Sequence, residues 1–225
     1  MTKGAKGEEA NVPPIRIVLV GDSTVADYGD NPNQAGWGQK IASLLSERVT
    51  IVNLARGGRS SKSFIAEGLW EKALAAKGDF ILIQFGHNDC PGKGDRTTDP
   101  DTTYSANLRR YVADARVAGA MAVLITSVER RKFTPDGRIA CTLSAYAEAM
   151  RKVAAAEQIG LVDLHAKSIA LYEQLGPQRA AAELSSGDQT HFSHAGALAM
   201  ARLIVEDLAK AAPHLVPYIK TLPAK

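Results

Sequence analysis

Five short apolar runs, each followed by a longer stretch of helical period, constrain this chain more than any other feature. The runs are IRIVLV (15–20), VTIVNL (49–54), FILIQF (80–85), MAVLIT (121–126) and GLVDL (160–164). They are rich in Val, Ile and Leu, as strands buried on both faces are. Helical candidates lie near 37–47, 62–76, 102–118, 142–158 and 166–175, with a last one near 194–211. Ala-rich stretches such as YAEAMRKVAAAE favour helix, and Ser193 suits the N-cap of the last one. Strand and helix in repeated alternation imply right-handed crossovers and a parallel sheet covered on both faces. A chain of 225 residues, 45% of them apolar, can bury one sizeable core. The expectation is a single three-layer α/β domain over residues 15–225, preceded by a flexible polar segment, 1–14.

In such sheets ligands bind beyond the carboxyl ends of the strands. The reactive residue types gather at that edge. Gly21-Asp22-Ser23-Thr24 follows the first strand, and ARGGRS (55–60) follows the second. Gly86-His87-Asn88-Asp89 follows the third, and Asp188-Gln189-Thr190-His191 stands just before the last helix. Each block alone has a bland reading as a turn, a cap or a surface ion pair. Together they meet the needs of acyl transfer. A serine hydroxyl needs a base, the base needs an orienting partner, and the tetrahedral intermediate needs preorganised donors. Ser23 is the candidate nucleophile, His191 the base and Asp188 the orienter. The backbone N–H groups of Ser23 and Gly58 and the side-chain amide of Asn88 are the candidate oxyanion donors.

Other classes fit less well. The net charge is +3 with no dense Lys/Arg tract, which disfavours nucleic acid as a partner. No apolar run reaches the 18 residues that a membrane span requires. The start, MTKGAKGEEANVPP, lacks the apolar region of a signal peptide. A chain whose signal had been removed would look the same, so export and a cytoplasmic location both stay open. Cys90 and Cys141 are read as free thiols, with one disulfide as the alternative for an exported chain. His191 and His194 form an H-x-x-H pair without an obvious third ligand, so no metal and no cofactor is expected. His194, just after Ser193, suits packing at the helix start, and Asp22 and Asp89 suit loop fixing.

The blocks resemble the four signatures of the SGNH hydrolases, also called the GDSL family: Ser23 in GDS, Gly58, Asn88 in GHND and His191 in D-x-x-H. The resemblance covers residues 15 to 210 and implies a flavodoxin-like fold with strand order 2-1-3-4-5. GDST, GWGQ (36–39), ARGGRSSKSF (55–64), EGLW (67–70), IQFGHND (83–89) and ERRKF (129–133) are similar to the branch of rhamnogalacturonan acetylesterases, carbohydrate esterase family twelve. That branch implies deacetylation of a carbohydrate, acetylated pectin or rhamnogalacturonan, through an acyl-enzyme on Ser23. Cys90 departs from the pattern, since a polar residue, often Gln, is expected after GHND.

The readings that compete are an acetylxylan esterase, a short-chain lipase or thioesterase of the same superfamily, and a flavodoxin-like module holding phosphate or flavin at GDST. No extended apolar lid favours a lipid substrate, and no Gly-rich phosphate loop follows the first strand. The basic residues Arg56, Arg59, Lys62, Arg130, Arg131 and Lys132 follow strands two and four, where Arg suits the carboxylates of an acidic polysaccharide. Arg59, Arg131 and His87 are candidate substrate-lining residues. Trp37 joins them as a possible sugar-stacking face, with core packing as its alternative.

Overall fold

The computed structural model of the chain describes residues 12–221. Its centre is a parallel sheet of β1 (Ile15–Gly21), β2 (Val49–Asn53), β3 (Phe80–Gln84), β4 (Met121–Ile125) and β5 (Gly160–Val162). The order is β2-β1-β3-β4-β5, as the family resemblance implies. Side chains alternate between the two faces along each strand. Ile17, Leu19, Leu82, Val123, Ile125 and Val162 point to one layer, built from α1 (Trp37–Lys40), α6 (Leu164–Leu184) and α7 (His194–Ala211). Val18, Val20, Ile81, Ile83 and Leu124 point to the other, built from α2 (Ser61–Ala66), α3 (Leu69–Ala75), α4 (Ser105–Val117) and α5 (Ser144–Ala156). Burying such a side chain stabilises the fold by about 1.5–3 kcal/mol. Because both faces of β1 and β3 are buried over most of their length, apolar residues fill nearly every position, with Arg16 and Gln84 the exceptions, and the runs carry no polar alternation.

Helix boundaries depart from the helical period where tertiary contacts intervene. The 37–47 stretch holds one α turn, α1, followed by a 3-10 turn, Ile41–Leu44. Here the GWGQ segment is pressed onto the loop after β1, and a Cβ on Gly38 would stand 2.4 Å from the Val25 carbonyl oxygen. The 62–76 stretch is two helices, α2 and α3, parted at Gly68 in the left-handed region (φ 68). The 102–118 stretch opens with a π-helical turn, Pro100–Tyr104, capped by Asp99. The helix expected over 166–175 ends as expected, because α6 leaves helical geometry at Gly176 (φ 73, ψ 168). A second helical segment starts at Pro177, which suits a first helical position, and runs to Leu184.

The expected flexible segment 1–14 falls mostly on residues 1–11, which lie outside the described residues. Val12 packs against the core, and the Tyr218 hydroxyl donates to the Pro13 carbonyl at 2.8 Å. Among the described residues, no helix is long and apolar enough to cross a membrane. None of their His, Cys, Asp and Glu side chains gather in threes as a metal site would require. Cys90, buried, and Cys141, exposed, are both free.

Candidate active site

The turn after β1 is built by its own side chains. Asp22, fully buried, accepts from the Thr24 N–H at 2.9 Å and from the Thr24 hydroxyl at 2.8 Å. Thr24 Oγ1 in turn accepts from Gln84 Nε2 at 2.6 Å, and Gln84 Oε1 accepts from the Trp37 indole at 2.8 Å. Every hydrogen in this buried row points towards Asp22. The row ties the ends of β1 and β3 to α1, leaving Ser23 half-exposed at the tip of the turn.

His191 comes to that tip from 168 residues away. Its Nε2 lies 2.9 Å from Ser23 Oγ, and its Nδ1 lies 2.6 Å from Asp188 Oδ2. A carboxylate only accepts, so Nδ1 carries the proton and Nε2 offers its lone pair to the serine hydroxyl. Burial by itself would raise the Asp188 carboxyl. The bonds it accepts from the His191 ring and from the backbone N–H groups of His191 and Thr190 outweigh that and hold it at about 2. Asp188 is therefore ionised at neutral pH and can orient the ring without taking its proton. His194, by contrast, bonds the Asn31 carbonyl through Nε2 at 2.7 Å and starts α7 beside its N-cap, Ser193.

Gly57 and Gly58 close over the nucleophile from the β2 side. A Cβ on Gly57 would touch Ser23 Cβ at 3.7 Å, and Gly58 sits at φ +78, which favours glycine. Arg96 Nη1 donates to the Gly58 carbonyl at 2.7 Å and Arg59 Nη1 to the Gly57 carbonyl at 2.9 Å, which fixes the loop. Asn88, 8% exposed, donates one amide hydrogen to the Arg59 carbonyl at 3.2 Å and keeps the second for the site. Gly57 against Ser23, and Asn88 on the Arg59 carbonyl, bring the candidate oxyanion donors to the same edge of the sheet. Asn88→Ala is expected to lower kcat by about 100- to 1,000-fold with KM changed less than about threefold, since the donor acts mainly on developing charge. Steady-state kinetics on p-nitrophenyl acetate reads this, and an unchanged kcat would remove Asn88 from the hole.

The same segments carry the likeness to known proteins. The model of the GDSL-like lipase/acylhydrolase family matches residues 19–199. The chain belongs to this family. Among its relatives, the probable rhamnogalacturonan acetylesterase YesY of Bacillus subtilis is 41% identical over 199 residues, covering 85% of this chain and 91% of that protein. The rhamnogalacturonan acetylesterase RhgT of the same organism is 40% identical over 212 residues, covering 87% and 90%. The crystal structure of Bacillus subtilis YxiM superposes with a TM-score of 0.80 at 30% identity, covering 88% of this chain and 57% of that one.

Of the four expected substrate-lining residues, Trp37, His87 and Arg131 are buried and Arg59 is half-buried. Trp37 is fully buried, because the row to Asp22 needs its indole donor inside. His87, 3% exposed, turns inward so that Nε2 donates to the Val128 carbonyl at 2.8 Å, and burial lowers its pKa. The nitrogens of Arg59 are taken by Glu67 and by the Gly57 carbonyl. Arg131 is buried between the rings of Tyr172 and Phe192. Its N–H donates to the Gln189 carbonyl at 2.7 Å and its Nη2 to the carbonyls of Asp188 and His191. Arg131 therefore clamps the turn that carries Asp188 and His191.

Two residues near the site were not among the candidate site residues read from the sequence. Tyr28, in a loop without periodicity, donates its hydroxyl to the Ser23 carbonyl at 2.9 Å. Glu129, the one acid in the basic block ERRKF, is buried and accepts from His165, from Thr142 and from the N–H groups of Arg130, Thr142 and Leu143. Burial pushes its carboxyl up, but these donors prevail and hold it at about 2. A depressed acid stabilises the fold above its unfolded pKa, about 4.3, and that stability is lost as pH falls towards 2. Glu129→Gln is thus expected to cost about 3 kcal/mol at pH 7 and markedly less at pH 3. Urea denaturation at the two pH values checks this; an equal loss at both would show that the charge is irrelevant.

Proposed function

We propose that this chain is a serine O-acetylesterase acting on acetylated carbohydrate of the pectic rhamnogalacturonan type. The observation that carries the reading is the row Ser23–His191–Asp188 at the carboxyl edge of the sheet. The identity to two rhamnogalacturonan acetylesterases over nine-tenths of their length supports the substrate class. Charge agrees with it: Arg56, exposed, and Arg96, half-buried, flank the Gly57–Gly58 loop and suit a chain bearing carboxylates.

The chemistry follows from the geometry. His191 Nε2 takes the Ser23 proton as Oγ attacks the acetyl carbonyl carbon. The oxyanion forms against the Ser23 and Gly58 N–H groups and the Asn88 amide. On collapse, the sugar oxygen leaves with the proton from His191, and the acetyl group stays on Ser23. Water then attacks that ester, His191 taking its proton and returning it to Ser23 as acetate departs.

Acetate release from acetylated rhamnogalacturonan, homogalacturonan, xylan and chitin, measured side by side, tests the reading. The highest kcat/KM is expected on rhamnogalacturonan. Preference for acetylated xylan, or no release from any of them, would overturn it.

A further inference from the structure

The aromatic side chains single out one region of the surface. The chain has two Trp, six Tyr and five Phe, and in the structure all are buried except Tyr28 and Phe133. Both stand at the catalytic row. Tyr28 reaches the Ser23 carbonyl, and Phe133 lines a cavity of about 290 Å³ together with Arg131, Pro177, Ala181, Asp188 and Gln189. Phe133 packs one side against the core and leaves the rest of its ring partly in water beside Asp188.

The cavity is lined by Asp188, which holds Nδ1 of the imidazole, and not by Ser23, which faces Nε2. It therefore suits a part of the substrate other than the acetyl group undergoing attack. Its size is near the lower end for small-molecule sites, about 300 Å³, which suits a single ring. Its chemistry suits a pyranose, whose C–H face is apolar and whose rim carries hydroxyls. Phe133, Pro177 and Ala181 are apolar, and the Gln189 side-chain amide has no protein partner among the described residues. Its walls are held in place by the Arg131 clamp, by the bridge between Phe133 and Ile139 and by the kink at Pro177.

We propose that this cavity is a carbohydrate subsite, in which a sugar ring adjoining the acetylated one stacks on Phe133 and bonds the Gln189 amide. The proposal rests on the carbohydrate-esterase reading and adds that the enzyme engages more than the sugar it deacetylates.

The test compares kcat/KM on an acetylated rhamnogalacturonan oligosaccharide with that on p-nitrophenyl acetate, which is too short to reach the cavity. In Phe133→Ala the ratio of the two is expected to fall about tenfold, chiefly through KM for the oligosaccharide. Phe133→Tyr keeps the ring and restores the ratio to within about twofold. Ala181→Trp, at an exposed rim position, fills the cavity without removing a contact and lowers the ratio as Phe133→Ala does. A ratio unchanged in both Phe133→Ala and Ala181→Trp overturns the subsite. If the wild-type enzyme cleaves p-nitrophenyl acetate but releases no acetate from the oligosaccharide, the functional reading fails. The subsite is then decided by calorimetric binding of the deacetylated oligosaccharide to the Ser23→Ala protein. Binding that is lost on adding Phe133→Ala supports the subsite, and absent or unaltered binding overturns it.

Discussion

Ser23→Ala is expected to lower kcat on p-nitrophenyl acetate by at least about 10,000-fold, a barrier increase of about 5.5 kcal/mol. The substitution removes one oxygen whose side-chain partner is His191 Nε2. The turn itself is held by Asp22, Thr24, Gln84 and Trp37, so the melting temperature should stay near that of wild type. Residual turnover would come from the oxyanion donors acting on a water molecule. Activity within about tenfold of wild type would mean that another group attacks the ester.

His191→Ala is expected to match that loss, and His194→Ala to keep kcat within about threefold. Both rings are polar and three residues apart, but their partners differ. His191 joins Asp188 to Ser23, whereas His194 holds the Asn31 carbonyl of a surface loop. Residues acting as one unit are not additive, so the double variant Ser23→Ala/His191→Ala should be no slower than either single one. Kinetics at pH 8 separates the two histidines. A dead His194→Ala beside an active His191→Ala would reverse the assignment of the base.

The strands were legible because burial on both faces leaves the same mark wherever it occurs, an apolar run with a polar stop. Their order was not written in those runs; it came with the resemblance of the GDST, GHND and D-x-x-H blocks. Helix ends were legible where a cap does its work locally, as at Ser193. They were misread where the backbone leaves helical geometry inside an unbroken periodic run, as at Gly68, which parts the stretch read as one helix over 62–76. The Ser23–His191–Asp188 row was readable because its members follow a strand or precede a helix. Its surroundings were not, because exposure is a property of the fold. Trp37 and Arg131 look like substrate contacts in sequence, yet one donates inwards to Gln84 and the other grips the carbonyls of Asp188 and His191. The rings that do reach the surface, Tyr28 and Phe133, sit in segments with no periodic signal.

The covalent step leaves a product that can be seen directly. Wild-type enzyme turning over p-nitrophenyl acetate is quenched in acid, digested and mapped by mass spectrometry. A single acetyl group on the peptide containing Ser23, absent from Ser23→Ala and from enzyme quenched before substrate is added, is the predicted result. Steady turnover with no acetylated peptide, or an acetyl group carried by another residue in place of Ser23, would contradict acyl transfer through the Ser23–His191–Asp188 row.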